Sequence, residues 1–249
     1  MLDSSNANIE YSLDAGVFVL KINRPEKKNA LLPGMYSALA EGLRWADNAD
    51  DVRVTLIRGV DNCFTSGNDV NGFVSNDSDS SQGRPSQDLM HALNDSKKPI
   101  VAAISGLAIG IGTTLLFHCD LVYAGDNAAF SMPFVNLGLC PEAASSLLVP
   151  RLLGHARAAE ALLLGEPFTA ESAMEWGLVN RIVPPAQANA LAQQQARKLA
   201  AKPMASLLET KRLMKSGQSK ALIERMGEEG QSFRRMLSEP AAREAFGAF

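Results

Sequence analysis

Short apolar runs and amphipathic stretches alternate along the first two thirds of the 249-residue chain. A helical pattern of apolar positions begins at Pro33 and continues to about Asn48. From His155 onward the pattern is almost entirely helical. Runs with the length and β-branched content of strands occur at 9–13, 17–22, 52–58, 100–104, 128–131 and 178–183. The pattern therefore predicts an α/β core, residues 1–186, followed by a helical C-terminal region, residues 187–249, that packs on a neighbouring subunit.

Three glycines stand between an apolar strand and an apolar helix in the central stretch 98–125: Gly106, Gly110 and Gly112. A strand, a glycine turn and a helix together point free backbone N–H groups out of the helix N-terminus. We interpret the N–H of Ile111 as half of an oxyanion hole, although a close helix–strand crossing explains the small residues equally well. The glycine order fits neither a dinucleotide fingerprint nor a phosphate-binding P-loop.

A second turn, Ser66-Gly67-Asn68-Asp69, lies in the predicted loop 63–73. Its composition is typical of a tight turn with a glycine at positive φ. Such a turn can point the N–H of Ser66 or Gly67 inward beside Ile111, or it can simply lie on the surface. The polar stretch 75–86 that follows fits both a solvated insert and a lid over a ligand.

The composition excludes several classes of protein. The formal net charge of −3 gives no basic field for nucleic acid or for an anionic membrane. No apolar run approaches the roughly 20 residues of a membrane span, and the first residues lack the features of a signal peptide. The three cysteines have no metal-ligand spacing. We therefore expect a cytoplasmic protein without a metal site.

Three segments taken together resemble the crotonase family, also called the enoyl-CoA hydratase/isomerase family. They are FTSGNDV at 64–70, KPIVAAISGLAIGIG at 98–112 and CDLVYAG at 119–125, in the order and spacing of the family. The resemblance implies a crotonase-like spiral of ββα units with a helical C-terminal appendage that builds a homotrimer or a dimer of trimers. It also implies an acyl-CoA thioester substrate and no cofactor, because coenzyme A is part of the substrate.

The resemblance also assigns residues to the site. By motif position, the backbone donors to the thioester oxygen fall on Ser66 and Ile111. Coenzyme A recognition falls on the loop NRPEKKNAL, with Lys28, Ala30 and Leu31 as candidates. The other candidate substrate-binding residues are Gly67, Asn68, Asp69, Val70, Gly110, Thr114 and Phe134.

The acidic residues separate the branches of the family. Hydratases carry two glutamates, and here their positions hold Thr114 and Phe134, which cannot act as general bases. The segment around Glu142 resembles that of the peroxisomal-type Δ3,Δ2-enoyl-CoA isomerases, which have a single catalytic glutamate at this position. An acidic residue in the first turn of a helix is the structural alternative, and the two interpretations are compatible.

The resemblance thus implies an isomerase in which Glu142 moves a proton from C2 to C4 of a 3-enoyl-CoA. Three alternatives remain at this point: a hydratase of unusual layout, a hydrolase, and a CoA-ester-binding protein without turnover. His118, one turn after Thr114, is expected to be a buried core residue with its hydrogen bonds satisfied.

Overall fold

The computed structural model describes residues 2–69 and 84–247. Its strands are β1 Ile9–Asp14, β2 Val17–Ile22, β3 Val54–Arg58, β4 Cys63–Thr65, β5 Ile100–Ile104, β6 Leu107–Ile109, β7 Leu121–Gly125, β8 Ala129–Ser131, β9 Phe168–Thr169 and β10 Arg181–Val183. They form a six-stranded sheet of order β1-β2-β3-β5-β7-β10 and a four-stranded sheet of order β4-β6-β8-β9. From β3 to β8, consecutive strands alternate between the two sheets, and this gives the expected spiral.

The helices follow the strands in the ββα order of that spiral. They are α1 Pro33–Asn48, α2 Arg84–Asp95, α3 Ile111–Thr114, α4 Ser145–Leu153, α5 His155–Ala159, α6 Ala170–Glu175, α7 Pro185–Ala200, α8 Met204–Lys215, α9 Ser219–Leu237 and α10 Pro240–Gly247. Short 3-10 helices follow α3 at Leu115–His118 and precede α4 at Val135–Leu137, and a π-helical segment, Glu160–Leu164, follows α5. In the described parts of the chain, no helix is both long and apolar enough to cross a membrane.

The elements with strong local signals form where the sequence predicts them. β1 and β2 pair antiparallel from Ile9 opposite Ile22 to Asp14 opposite Val17. The turn that joins them places Ala15 at φ 49° and Gly16 at φ 77°, which is the twist that a two-residue hairpin requires. The helix predicted from Pro33 to about Asn48 is α1. The hairpin and this helix are therefore confirmed.

The prediction that the central glycines lead directly from a strand into a helix was wrong. β6 lies between Gly106 and Gly110, and it pairs in parallel with β4 and β8 in the smaller sheet. The predicted loop 63–73 likewise begins as β4. A Cβ atom on Gly106 would lie 1.9 Å from the carbonyl oxygen of Asn62, so only glycine fits where the chain passes between the sheets. Three-residue strands are too short to give a periodic signal.

Helix α7 packs on one face of the six-stranded sheet. Its buried alanines recur every four residues, at Ala192, Ala196 and Ala200, and they lie against β3, β5 and β7 in a cluster that includes Val54 and Val101. Small side chains at this spacing let the helix approach the strands closely. The boundary that the sequence places at residue 187 thus falls inside a helix that covers the sheet.

Candidate active site

In the turn after β4, the first N–H groups form hydrogen bonds and one N–H has no partner among the described residues. The N–H of Ser66 donates to the carbonyl of Lys28 at 3.0 Å, and the N–H of Gly67 donates to Thr65 Oγ1 at 3.1 Å. Leu31 and Asn68 form a parallel β-bridge. In this bridge the N–H of Leu31 donates to the carbonyl of Gly67, and the N–H of Asp69 donates to the carbonyl of Leu31. The N–H of Asn68 therefore points away from that bridge, and it has no acceptor among the described residues.

This hydrogen bonding contradicts the expectation that Ser66 or Gly67 supplies a free donor. Their N–H groups stabilise the turn itself, and the available donor of the SGND turn is the N–H of Asn68, two residues after Ser66. The sequence could not show which of the four residues has the available N–H, because all four suit a tight turn equally well.

The second donor, the N–H of Ile111, lies at the start of α3. Gly110 precedes it at φ 56° and ψ −119°, a conformation open only to glycine. The carbonyl of Gly110 accepts from Thr113 and Thr114, both at 2.9 Å, whereas the N–H of Ile111 has no acceptor within the described chain. A Cβ on Gly110 would meet no atom within 4 Å, so open space borders this peptide.

The two candidate donors belong to adjoining segments. A Cβ on Gly67 would lie 2.9 Å from the carbonyl oxygen of Ile109, and one on Gly112 would lie 2.5 Å from Thr65 Cγ2. The missing side chains of these two glycines let the end of β4 rest directly on the start of α3. Two unpaired N–H groups on touching segments are suited to bind one oxygen anion.

Glu142 lies three residues before α4, in a turn whose next two residues are left-handed, Ala143 at φ 61° and Ala144 at φ 55°. The helix predicted to start near Glu142 starts at Ser145, because this turn interrupts it. Glu142 is only 9% exposed, and its Oε1 has no hydrogen-bond partner among the residues that the structure describes. Among the described residues, the one other buried side-chain polar atom without a partner is Thr114 Oγ1.

Burial controls the protonation of Glu142. Loss of solvation is the main cause that raises its pKa, to about 8, and the nearby Glu229 carboxylate adds to the shift. A carboxyl group that titrates close to neutral pH is matched to general base chemistry.

His118 fixes the backbone beside this carboxyl group. Its Nε2 lies 2.8 Å from the carbonyl oxygen of Ala143. Burial lowers the pKa of His118 to about 4, so the neutral ring donates Nε2–H to that oxygen. The prediction of a buried, hydrogen-bonded histidine is confirmed.

Comparison with known proteins identifies the family. The model of the enoyl-CoA hydratase/isomerase family matches residues 12–249. The chain belongs to the enoyl-CoA hydratase/isomerase family. Rat enoyl-CoA delta isomerase 2 is 38% identical over 176 residues, which are 69% of this chain and 45% of the rat protein, so the chain spans less than half of that relative.

Two further relatives match this family member along most of its length. The 2,3-dehydroadipyl-CoA hydratase of Escherichia coli K12 is 31% identical over 94% of this chain and 91% of its own length. The solved structure of Pseudomonas aeruginosa OdaA is 45% identical and superimposes with a TM-score of 0.94 over 98% of this chain and 99% of that one. The relatives of this enoyl-CoA hydratase/isomerase family member thus carry both hydratase and isomerase names.

Tyr36 links the Asn68 turn to Glu142 in this family member. Its hydroxyl donates to Asn68 Oδ1, which holds the residue whose N–H is free. Burial raises the pKa of Tyr36 well above its usual value, and the Glu142 carboxylate adds to that rise. Tyr36 is therefore bonded to Asn68 and lies close enough to Glu142 for the two groups to influence each other's charge. In the sequence, Tyr36 is simply one of the buried positions of α1, so no signal distinguished it.

The loop with the predicted coenzyme A contacts rests on the same turn. Buried Asn29 donates through Nδ2 to the carbonyls of Cys63 and Phe64, both at 3.0 Å, and Arg24 pairs with Asp69 at 2.7 Å. These contacts join the loop to β4 and to the SGND turn. No sequence pattern pointed to Asn29 or Arg24. Of the predicted residues, Lys28 is exposed, Ala30 is half-buried and Leu31 is buried.

Two predicted substrate-binding positions remain, Phe134 and Val70. Phe134 is buried in the main hydrophobic core, just before a 3-10 helix. Val70 lies outside the described residues. No group of three or more histidine, cysteine or acidic side chains in the described part of the chain could hold a metal ion.

Proposed function

We propose that this chain is an acyl-CoA isomerase that moves the double bond of a 3-enoyl-CoA from C3–C4 to C2–C3. The observation that carries this proposal is the state of Glu142: a buried carboxyl group with a free oxygen and a pKa of about 8. Two backbone N–H groups with no acceptor among the described residues, those of Asn68 and Ile111, lie on adjoining segments. Tyr36 bonds to Asn68, and His118 bonds to the carbonyl of Ala143, the residue after Glu142. A base and a pair of oxygen-binding donors are what this reaction requires.

In the proposed reaction, the Glu142 carboxylate removes a proton from C2. The C–H electron pair moves into C1–C2, and the thioester oxygen becomes the negative end of a dienolate. The N–H groups of Asn68 and Ile111 donate to that oxygen, and losing one such donor typically costs about 10²–10³ in rate. Glu142 then returns its proton to C4, which leaves the double bond at C2–C3. One carboxyl group is sufficient because both carbons lie on the same allylic path.

The residues around Glu142 give less support to a hydratase mechanism, which uses two carboxylates. Thr114 and Phe134 cannot ionise to give a second base. The neighbouring acid, Glu229, has both carboxylate oxygens bonded to backbone N–H groups. Glu142 is therefore the one carboxyl group around Tyr36 and Asn68 that we assign to proton transfer.

The proposed function is tested by incubating the purified protein with a 3-enoyl-CoA and, in parallel, with the corresponding 2-enoyl-CoA, and by identifying the products. We expect the 3-enoyl-CoA to become 2-enoyl-CoA without addition of water. Glu142→Gln should lose at least about 10³-fold in kcat while its affinity for a saturated acyl-CoA stays within about twofold. The exposed Glu166→Gln serves as the matched control and should keep full activity.

Other outcomes would replace the proposal. Formation of a 3-hydroxyacyl-CoA would identify a hydratase, release of free coenzyme A would identify a hydrolase, and tight binding without turnover would identify a binding protein. Full isomerase activity in Glu142→Gln would remove Glu142 from its role.

We also propose that the chain works as a homotrimer or a dimer of trimers and binds coenzyme A with the loop of Lys28, Ala30 and Leu31. The C-terminal helices support self-association because Leu213 and Met214 are 56% and 69% exposed. Light scattering of the purified protein tests the assembly, and a monomer at micromolar concentration would contradict it.

A further inference from the structure

Glu229 on α9 reaches from the C-terminal region to the turn that carries Glu142. Its side chain is buried, with 6% of the residue exposed. Glu229 Oε2 accepts the N–H of Ala144 at 2.6 Å, and Oε1 accepts the N–H and the hydroxyl of Ser146 at 2.9 and 2.5 Å. One carboxylate thus satisfies the free N–H groups at the start of α4.

The turn held in this way is an unfavourable one. Ala143 and Ala144 both adopt the left-handed conformation, in which the Cβ of an L-residue crowds its own backbone. Such a turn persists only where surrounding contacts hold it. Here His118 binds the carbonyl of Ala143 and Glu229 binds the N–H of Ala144, so the two residues after Glu142 are fixed from opposite sides.

We propose that Glu229 is a positioning residue for Glu142: its carboxylate holds the Ala143–Ala144 turn that directs the base into the site. This inference rests on the proposed function of Glu142 as the base. It gives the C-terminal region a role in the reaction in addition to the expected role in oligomerisation.

The charge of Glu229 supports the same role. Burial raises the pKa of Glu229 as well, but its hydrogen bonds from Ser146 and Ala144 oppose that rise. Oε1 of Glu142 has no partner in the described chain, so the shared negative charge resides on Glu229 and the proton on Glu142. Glu229 accordingly contributes to the raised pKa of Glu142.

The other titratable groups around the pair leave this assignment unchanged. Arg225 donates to Ser146 Oγ at 3.3 Å and pairs with the exposed Glu228, and its positive charge acts to lower the pKa of Glu229, so it favours the ionised form of Glu229. His118 is neutral near pH 7 because burial lowers its pKa, and burial raises the pKa values of Tyr36 and Cys140, which keeps both uncharged.

The test compares Glu229→Gln with Glu224→Gln, an exposed glutamate on the same helix. We expect Glu229→Gln to lower kcat for the 3-enoyl-CoA about 10- to 100-fold with KM within about twofold, because a small displacement of a base is costly while the substrate contacts remain. The pH profile of kcat/KM should move to lower pH. Glu229→Asp, which keeps the charge, should retain the position of the profile. Unchanged kcat and an unchanged profile in Glu229→Gln would overturn the inference.

Two further measurements keep the test independent of folding and of the assigned reaction. Ser146→Ala removes one of the three hydrogen bonds and should give a smaller loss of kcat in a folded protein. A ¹³C-carboxyl NMR titration, with Glu142→Gln to assign the signal, should show Glu142 titrating at lower pH in Glu229→Gln. A protein that shows this coupling but no isomerisation would refute the proposed function alone, whereas an isomerase without the coupling would refute this inference alone.

Discussion

At the scale of the residue, two opposing effects act on the carboxyl group of Glu142. Burial favours its neutral form, whereas the dipole of a helix N-terminus favours the ionised form. The helix begins only at Ser145, and its first N–H groups are already bonded to Glu229. Burial therefore dominates, and the pKa rises to about 8.

The ionisation of Glu142 should make kcat/KM depend on pH. Because the proposed reaction needs the ionised form of Glu142, kcat/KM should rise about tenfold per pH unit from pH 6 and level off above pH 8. Initial rates with a 3-enoyl-CoA across buffers of constant ionic strength measure this profile. A rate that is constant between pH 6 and pH 8 would show that the free enzyme does not use this carboxyl group in its raised-pKa state.

The raised pKa of Glu142 should also make the free energy of unfolding depend on pH. The pKa of Glu142 is higher in the folded chain, about 8, than in the unfolded chain, so folding binds the proton more tightly. The stability that depends on this proton is complete below the unfolded pKa and is lost as pH rises through about 8. The free energy of unfolding of Glu142→Gln should therefore exceed that of the wild type at pH 8 by about 4 kcal/mol, with little difference at pH 5. Denaturant titrations at the two pH values measure this difference.

His118 supplies a check on that experiment. Its folded pKa of about 4 lies below its unfolded value, so its contribution is present at neutral pH and is lost as pH falls through about 4. Both proteins contain His118, and its effect cancels in the difference between them. A stability gain of Glu142→Gln at pH 5 as large as that at pH 8 would contradict the assignment of the raised pKa to Glu142.

At the scale of the element, the start of α3 depends on the backbone of Gly110. An alanine there meets no neighbouring atom, but it cannot easily adopt φ 56° and ψ −119°. We expect Gly110→Ala to lose about 1–3 kcal/mol in stability. We also expect a fall of about 10² in kcat, because the relaxed backbone turns the N–H of Ile111 away from the thioester oxygen.

Gly154 between α4 and α5 provides the matched control. It also has a positive φ, 78°, with no atom within 4 Å of a Cβ, so Gly154→Ala tests backbone strain away from the site. Its stability should fall by a similar amount, while kcat stays within about twofold. Equal losses of kcat in the two variants would mean that Gly110 acts through general stability and not through the Ile111 peptide.

The sequence predicts those elements whose signals are local. Pro33 starts α1, and the apolar spacing carries the helix to Asn48; the turn at Gly16 likewise determines the first hairpin. β6 escapes prediction because three residues have no period, and it exists only through pairing with β4 and β8. Tertiary pairing therefore decides the elements around the site.

The site residues likewise include some that local sequence signals predict and others that depend on tertiary contacts. Glu142 and Ile111 follow from motifs that are continuous in the sequence. Asn68 replaces Ser66 as the candidate donor because a distant partner, the carbonyl of Lys28, takes the N–H of Ser66. Glu229 contacts its partners across 83 to 85 positions of sequence, a relation that no single-sequence pattern encodes.

At the scale of the whole molecule, the C-terminal helices are joined to the core by buried polar contacts. Lys211 on α8 donates from Nζ to the carbonyl of Lys98 at 2.7 Å and to Asp120 Oδ2 at 2.6 Å. Asp120 Oδ2 also accepts the N–H of Ile100 at 2.7 Å, so the contact reaches the first residue of β5. Since α8 leads directly into α9, this ion pair anchors the region that carries Glu229.

Removing the lysine tests how much that anchor contributes. Lys211→Met leaves the Asp120 carboxylate, 21% exposed, without its counter-ion, and should lower the free energy of unfolding by about 2–3 kcal/mol. The exposed Lys220→Met on α9 should change it by less than about 0.5 kcal/mol. Because Glu229 holds the Glu142 turn through its own three hydrogen bonds, kcat of folded Lys211→Met should stay within about twofold. A large loss of kcat at unchanged KM would instead mean that the position of Glu229 depends on the seating of α8 against β5.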